Sequence, residues 1–182
     1  MMEYVRIPKD RVGVLIGKDG SVKTEVERRL GVKLDINAEE GVVAVENAGG
    51  DILAEWKARD ITKAIGRGMN PEKALKLCSD EYVLELIDLP DIVGRSPKVI
   101  SRQKGRLIGR DGKTRKFIEE LSGAHISIYG KTIALLGETE EVALAKEAIL
   151  MIARGAPHGI AYKVLQRKSR ELKEKRIGLW KT

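Results

Sequence analysis

Two glycine-rich tetrapeptides in this chain of 182 residues are candidate anion-binding loops. They are Gly17-Lys-Asp-Gly20 and Gly109-Arg-Asp-Gly112, which lie 92 positions apart and each precede a helix-forming segment. Glycine lets a backbone turn tightly and lets another chain approach closely. The start of a helix presents unpaired N–H groups and a partial positive charge, which together suit a phosphate. The spacing therefore predicts two anion-binding turns, each with a mobile cation supplied by Lys18 or Arg110.

The similarity of the two segments begins before the loops, because a Leu-Ile pair precedes each of them. Two matching copies indicate an internal duplication. The pairs Leu15-Ile16 and Leu107-Ile108 are expected to form one wall of an apolar groove that could receive unstacked bases. A glycine-rich turn without a ligand is the alternative for either copy taken alone, but the presence of two copies favours binding.

Hydrophobic periodicity predicts the order β-α-α-β-β-α around each loop. The first unit is expected to contain a strand at 4–7, helices at 11–16 and 21–30, strands at 32–36 and 43–45, and a helix after Asp51. The second is expected to contain a strand at 82–87, helices at 98–108 and after the loop, strands at 126–128 and 133–135, and a helix over 142–152. The rest is predicted as a short helix at 71–79, an irregular connection at 88–97 and a tail helix reaching residue 175.

These elements predict an α+β fold of two tandem domains followed by a basic helical tail. The expected limits are residues 1–79 for the first domain with its trailing helix, 80–154 for the second domain and 155–182 for the tail.

Positive charge is concentrated in two segments of the chain, whose formal net charge is +7. Residues 95–116 hold nine basic residues and one acid, a net charge of +8 around the second loop. Residues 163–182 hold eight basic residues and two acids, a net charge of +6. The comparable region of the first loop, residues 11–29, has a net charge of only +2. A polyanion-binding surface is therefore predicted around the second loop and the tail.

Composition argues against several other classes of function. Cys78 is the only cysteine, which excludes an intramolecular disulfide framework and a zinc site built on cysteines. The longest apolar run, residues 148–153, is far shorter than the roughly 20 residues needed to span a bilayer. No export signal is visible, so a cytoplasmic protein is predicted. No nucleophile, base and orienting group occur together, so neither catalysis nor a cofactor or metal is expected.

The element order, with Ile-Gly-x-x-Gly between the first two helices, resembles the KH domain of the arrangement called type I. This resemblance covers nearly all of residues 3–153 as two tandem domains. It implies that each loop clamps about four backbone nucleotides of single-stranded RNA. The low aromatic content of 4% agrees with it, because such domains read bases with an aliphatic groove rather than with stacking aromatic rings.

Three segments of the second half resemble the archaeal two-KH RNA-processing proteins, which are related to eukaryotic pre-ribosomal small-subunit assembly factors. These segments are residues 105–114, residues 155–159 with Tyr162, and residues 169–174. The resemblance implies binding near the 3′ end of small-subunit ribosomal RNA and partnership with a PIN-domain endonuclease. Eukaryotic relatives tend to have a degenerate first loop. The intact first loop here suits an archaeal member and leaves open whether both domains bind RNA.

The residues expected to bind RNA are the two loops and the cations around the second loop. They are Gly17, Lys18, Asp19, Gly20, Arg102, Lys104, Arg106, Gly109, Arg110, Asp111, Gly112, Lys113, Arg115 and Lys116. Two other residues are interpreted as structural. Trp56 is expected to pack in a core or between domains rather than on a base, and His158 is expected in a surface loop.

The function predicted from these observations is single-stranded RNA binding without catalysis, in maturation of the small ribosomal subunit. One alternative is a translation or mRNA-decay adaptor that prefers messenger RNA. A metal-dependent nuclease is disfavoured, because no aspartate cluster of the nuclease type accompanies the glutamates. A scaffold that binds only proteins is disfavoured by the two intact loops.

Overall fold

Three antiparallel strands in the order β1-β3-β2 form the sheet of the first unit in the computed structural model, which describes residues 2–180. This unit ends at Leu84. Its elements are β1 (Met2–Arg6), α1 (Lys9–Ile16), a 3-10 turn (Lys18–Gly20), α2 (Ser21–Leu30), β2 (Lys33–Asn37), β3 (Val42–Glu46), α3 (Ile52–Gly66), α4 (Pro71–Ala74) and a second 3-10 turn (Leu75–Cys78).

Local sequence signals explain where the helices of the first unit begin and end. Helix α2 stops at Gly31, which adopts the left-handed conformation (φ 65°) common at helix ends. Helix α3 begins after Asp51, whose side chain accepts hydrogen bonds from the backbone N–H groups of Leu53 (3.0 Å) and Ala54 (3.3 Å). Asn70 caps α4 in the same way. These limits agree with those predicted from the sequence.

The second unit, which begins at Glu85, contains a matching antiparallel sheet in the order β4-β6-β5. Its elements are β4 (Tyr82–Asp88), which starts three residues earlier, α5 (Leu89–Val93), α6 (Pro97–Ile108), a 3-10 turn (Arg110–Gly112), α7 (Lys113–Ser122), β5 (His125–Tyr129), β6 (Thr132–Glu138), α8 (Thr139–Ala153) and α9 (His158–Trp180). The predicted order β-α-α-β-β-α is confirmed in both units.

The two cores are built from equivalent positions. In the first sheet, Leu34 of β2 pairs with Val45 of β3, and both side chains are buried. In the second, Ile126 of β5 pairs with Leu135 of β6, and both are again buried. Alternation along each strand thus places one row of aliphatic side chains against the helices of its own unit.

One helix lies where an irregular connection was expected. Residues 88–97 contain α5, in which Pro90 occupies one of the first two positions. Proline fits there because its missing N–H would be unpaired at a helix start in any case. The side chain of Leu89 is buried in the core of the second unit and anchors this short helix.

The tail forms one helix, α9, that packs within the second unit. Its Tyr162 contacts Thr114 at the start of α7, and its Ser169 donates a hydrogen bond to the carbonyl of Leu121 near the end of α7 (2.6 Å). Helix α9 therefore runs parallel to α7. The buried side chain of Leu165 joins the core of this unit, as the sequence predicted. The domain limits 1–79, 80–154 and 155–182 stay a prediction.

Helix α9 is the longest in the chain, with 23 residues. A membrane-spanning helix needs about 20 predominantly apolar residues. Within the described residues, no helix is both long enough and apolar enough to cross a bilayer.

Candidate nucleic-acid interface

The backbones of the two glycine-rich loops are nearly identical. The first glycine has φ 76° and ψ 174° at Gly17, and φ 73° and ψ 173° at Gly109. The last glycine has φ 75° and ψ 14° at Gly20, and φ 72° and ψ 13° at Gly112. The duplication seen in the sequence is therefore a duplication of geometry, and both loops present the same backbone to a ligand.

The two glycines of each loop are required for different reasons. The first has a backbone conformation that is almost exclusive to glycine. A Cβ there would also lie 2.8 Å from the backbone N of Val22 at Gly17, and 2.7 Å from that of Thr114 at Gly109. At Gly112 the nearest atom to such a Cβ is 3.9 Å away, so only the positive φ favours glycine.

Each loop also holds an aspartate in the left-handed region. Asp19 and Asp111 both have φ 54°, and among the described residues they are the two non-glycine positions with a positive φ. Aspartate tolerates this conformation better than most residues because its side chain is short and polar. Residues of this kind cluster at functional sites, where the local structure holds them in place.

The helices that follow the loops start without a capping carboxylate. No side chain caps the start of α2 or α7, and neither helix has an acidic residue in its first turn. By contrast, α3 is capped by Asp51, and α8 by a capping box of Glu138 and Glu141. The partial positive charge at the start of α2 and α7 is therefore left for an anionic ligand.

Only half of the predicted groove wall can touch a base. Leu15 and Leu107 are buried in the cores of their units, which corrects the expectation that each Leu-Ile pair would line a groove. Ile16 and Ile108 are partly exposed. Helical periodicity explains the difference, since adjacent residues of a helix lie about 100° apart and cannot share one face. An apolar contact with a base falls to the isoleucines.

Arg106, one of the nine cations around the second loop, is held by the protein itself. Its Nη1 donates to the carbonyl of Ile152 (2.7 Å), and its Nη2 donates to the carbonyl of Ala156 (2.6 Å). The same guanidinium also bonds to Oε1 of Gln103 (3.2 Å). Arg106 thereby ties α6 to the end of α8.

Arg115 has internal partners as well. Its Nη1 donates to Oε2 of Glu119 (2.9 Å) and, over 3.4 Å, to the carbonyl of Ile126. The other carboxylate oxygen of Glu119 accepts a hydrogen bond from the backbone N of Ile126 (2.8 Å). This small network joins α7 to β5.

The other seven cations of this region form no hydrogen bond or ion pair with any residue between 2 and 180. They are Arg95, Lys98, Arg102, Lys104, Arg110, Lys113 and Lys116. All of them except the half-buried Lys104 are exposed, including Arg110 in the loop itself. The second loop thus lies in a field of uncompensated positive charge.

The first loop lies in a different electrostatic setting, because four of its five nearby cations have partners. Arg11 donates to the carbonyls of Ile65 (2.8 Å) and Met69 (3.0 Å). Arg28 and Arg29 both bind Glu25, and Lys23 lies 4.0 Å from Glu27. Hydrogen bonds from Arg28 and then Arg29 lower the pKa of Glu25 to about 2. In the described part of this region, only Lys18 has no partner.

The tail helix begins beside the second loop. The hydroxyl of Tyr162 donates to Oγ1 of Thr114 (3.1 Å), and the rings of Tyr162 and Phe117 lie 4.4 Å apart. Nε2 of His158 lies 2.8 Å from the carbonyl oxygen of Arg106. His158 is the first residue of α9. This corrects the sequence-based expectation that it would lie in a surface loop. Because its partner is 52 positions away, no local sequence signal could have revealed this contact.

Family models of KH domains match both halves of the chain. The model described as eukaryotic type KH-domain (KH-domain type I) matches residues 83–170, and a general KH-domain model matches residues 2–50. The first match extends into α9, which agrees with the packing of the tail helix against α7.

Known proteins similar to the chain include archaeal and eukaryotic ones. A KH domain-containing protein of Methanocaldococcus jannaschii is 55% identical over 182 residues, which is 99% of this chain and 79% of that protein. The pre-rRNA-processing protein PNO1 of Coccidioides immitis is 27% identical over 148 residues, 81% of this chain but only 58% of that protein. Among solved structures, Dim2p in the a/eIF2alpha-aDim2p-rRNA complex of Pyrococcus horikoshii matches with a TM-score of 0.87 and 47% identity. That match covers 94% of this chain and 95% of that chain.

Proposed function

The chain belongs to the family of two-KH-domain proteins that includes archaeal Dim2p, and from this premise we propose that it binds single-stranded RNA during maturation of the small ribosomal subunit. The known relatives support this proposal. PNO1 is a pre-rRNA-processing protein, and the Pyrococcus horikoshii relative was crystallised with ribosomal RNA.

The observation that carries the proposal is the setting of the second loop. A Gly-x-x-Gly turn leads into a helix that has neither a capping side chain nor an acid in its first turn. Five cations without a partner among the described residues lie in the loop or within about two helical turns of it on α6 and α7, namely Arg102, Lys104, Arg110, Lys113 and Lys116. A sugar-phosphate backbone meets both requirements of this site, since its phosphates can bind the helix start and its neighbouring phosphates the cations.

The bases of the bound strand are expected against the apolar side of α6. Ile108 is partly exposed directly before the loop, and Ile128 of β5 is partly exposed on the opposite element. Aliphatic contacts of this kind accept unstacked bases from a single strand but not a closed duplex. The proposed site size is about four nucleotides for each domain.

The residues that we propose to contact RNA directly are the loop glycines with their enclosed residues and the cations near the second loop that have no partner among the described residues. They are Gly17, Lys18, Asp19, Gly20, Arg102, Lys104, Gly109, Arg110, Asp111, Gly112, Lys113 and Lys116. Arg106 and Arg115, which were also expected to bind RNA, act mainly by positioning in this proposal. The first holds α6 in place, and the second holds α7 against β5.

The proposed target is small-subunit ribosomal RNA near its 3′ end. The protein would hold this segment for a partner such as a PIN-domain endonuclease, and would act in the cytoplasm without catalysis of its own. The competing target within RNA binding is messenger RNA, to which an adaptor in translation or decay would bind.

Crosslinking in cells, followed by sequencing of the bound RNA, separates these targets. A peak of reads close to the 3′ end of small-subunit ribosomal RNA is the expected result. The matched control is the same protein with Arg110→Asp and Lys18→Asp, which should lose the peak. Reads spread over messenger RNA without a ribosomal peak would contradict the target while leaving RNA binding intact.

A further inference from the structure

A second candidate site lies at the start of α3 in the first unit, and none of its residues belongs to the RNA-binding loop. It is a cavity of about 470 Å³ that we refer to as the acidic pocket. Its lining residues are Glu3, Asn47, Gly50, Ile52, Glu55 and Trp56. A volume of this size is within the range of pockets that hold small ligands or single side chains.

The carboxylate of Glu55 is the first unusual feature of the acidic pocket. Only 7% of this residue is exposed, and it forms no hydrogen bond or ion pair within residues 2–180. Oε2 of Glu3 is the only fully buried side-chain oxygen or nitrogen without a partner in the described residues, so the oxygens of Glu55 keep some accessible surface and are open to a ligand. The place of Glu55 in the first turn of α3 stabilises its negative charge through the helix dipole.

Glu3 of β1 adds a second unsatisfied oxygen. Its Oε1 accepts a hydrogen bond from Nη1 of Arg59 (3.0 Å), but its Oε2 is buried without a partner. Arg59 is shared, since its Nε also donates to Asp60 (3.2 Å). One guanidinium therefore cannot neutralise this group of three carboxylates, and the acidic pocket keeps an excess of negative charge.

The third feature is an exposed apolar rim on α3. Trp56 is 50% exposed, in contrast to the core or inter-domain packing expected from the sequence, and Ile52 and Leu53 are also exposed. The face of an indole ring attracts cations, and guanidinium groups stack on it. A rim of this composition suits a side chain with an apolar stem and a positive end.

We propose that the acidic pocket binds an arginine side chain on an apolar-flanked segment of a partner protein. The guanidinium would bind the carboxylate of Glu55, which has no internal partner, and the nearby Glu3 would add to the negative charge that attracts it. Its flanking apolar residues would cover Ile52 and Leu53. RNA is a poor occupant, because two carboxylates repel phosphates. A multivalent metal site is disfavoured too, since no group of three His, Cys, Asp or Glu side chains in the described chain is placed to hold an ion.

Trp56 makes this proposal directly measurable. The chain has two tryptophans, and the other, Trp180, is exposed near the end of α9. In a Trp180→Phe background, tryptophan fluorescence therefore reports on the surroundings of Trp56, which lines the acidic pocket. The probe is the peptide acetyl-Leu-Arg-Leu-amide, and its control carries neutral citrulline in place of arginine. We expect a saturable change in Trp56 emission with the arginine peptide and binding at least about 10-fold weaker with the citrulline peptide.

The matched pair of variants is Glu55→Gln and Glu40→Gln. Both remove one carboxylate from the first unit, but Glu40 lies in the exposed turn before β3 and does not line the acidic pocket. Glu55→Gln should weaken the arginine peptide at least about 10-fold, and Glu40→Gln should leave it unchanged. Thermal unfolding of Glu55→Gln should occur at about the temperature of the unsubstituted protein, because the carboxylate has no internal hydrogen bond or ion pair to lose.

Four results would overturn the proposal. They are no saturable response at millimolar arginine peptide, equal binding of the citrulline peptide, an unchanged affinity in Glu55→Gln, and a lowered unfolding temperature that marks Glu55 as a structural residue. A response to single-stranded RNA or to Mg²⁺ that disappears in Glu55→Gln would also overturn it, in favour of a nucleic-acid or metal site.

Discussion

The guanidinium of Arg106 binds the carbonyl oxygen of Ala156 over 2.6 Å and that of Ile152 over 2.7 Å. Arg11 binds the carbonyls of Met69 and Ile65 in the first unit over 3.0 and 2.8 Å. In both units, an arginine of the helix before the loop thus donates to two carbonyls that lie four residues apart. These carbonyls are at or just beyond the C-terminal end of α3 in the first unit and of α8 in the second. The two arginines are not at equivalent positions of the repeat, so the two units form the same contact with residues from different positions of their helices.

Arg106→Ala should destabilise the second unit, because it leaves two carbonyls and Gln103 without their charged donor. Hydrogen bonds to charged groups contribute about 1.5–3 kcal/mol each, so we expect a loss of at least about 2 kcal/mol in the free energy of unfolding. The control is Arg102→Ala on the exposed face of the same helix, which should change stability little but weaken RNA binding. Urea denaturation measures the first effect, and equal stability of the two variants would argue against this contact.

The two glycines of the second loop should differ in their tolerance of alanine. Gly112→Ala places its Cβ no closer than 3.9 Å to another atom, so its cost of about 1–2 kcal/mol in stability comes from the positive φ alone. Gly109→Ala places its Cβ 2.7 Å from the backbone N of Thr114, in a conformation that is almost exclusive to glycine. Denaturant unfolding should show the larger loss for Gly109→Ala. A larger loss of stability for Gly112→Ala than for Gly109→Ala would contradict this loop geometry.

Tyr162→Phe tests how the tail helix is held against α7. The substitution keeps the ring contact with Phe117 and removes the hydrogen bond to Thr114, so a loss of about 1 kcal/mol is expected. Tyr162→Ala removes both and should cost about 3 kcal/mol or more. A double-mutant cycle with Thr114→Val measures the hydrogen bond itself. No coupling between the two positions would show that this bond does not stabilise the docked tail.

The tail cations should raise RNA affinity without sequence preference. Lys168 and Arg176 are occupied by glutamates of α8 or its cap, whereas Lys163, Arg170, Lys173 and Lys175 have no partner in residues 2–180. Changing these four to glutamine should weaken matched and mismatched single strands about equally, because phosphate contacts carry no base information. Fluorescence anisotropy on two RNA sequences provides the test. A selective loss for one sequence would mean that the tail reads bases.

Much of the fold could be predicted from the sequence because its signals are local. Gly17 and Gly109 mark tight turns, and Gly31 and Asp51 mark a helix end and a helix start. Alternation of apolar residues identifies the strands. Because the pattern occurs twice, the order of helices and strands could be predicted for both units.

The remaining features depend on contacts between distant residues, for which the sequence holds no local signal. The count of basic residues around the second loop could not separate Arg106, which binds carbonyls 46 and 50 positions away, from Arg102, which is exposed. The burial of Glu55 and the exposure of Trp56 likewise depend on how β1 and the loop before α3 meet. The short helix α5 within the connection at 88–97 was missed for the same reason. It depends on the burial of Leu89 in the core of the second unit, which the local sequence does not reveal.

The second loop should be the stronger RNA clamp, and a pair of charge reversals tests this ranking. Arg110→Asp and Lys18→Asp make the same change at equivalent positions of two loops with the same backbone. Their affinities for one single-stranded RNA are to be measured by fluorescence anisotropy at several salt concentrations, after circular dichroism has shown that both variants are folded.

We expect Arg110→Asp to lose more affinity than Lys18→Asp. Most cations near the second loop have no internal partner, whereas most cations near the first loop are paired within the protein. Each lost phosphate contact should reduce the slope of log K against log salt by about 0.7 for a single strand, so the flattening should also be larger for Arg110→Asp. Equal losses, or a larger loss for Lys18→Asp, would overturn this ranking and make the first domain at least an equal RNA clamp.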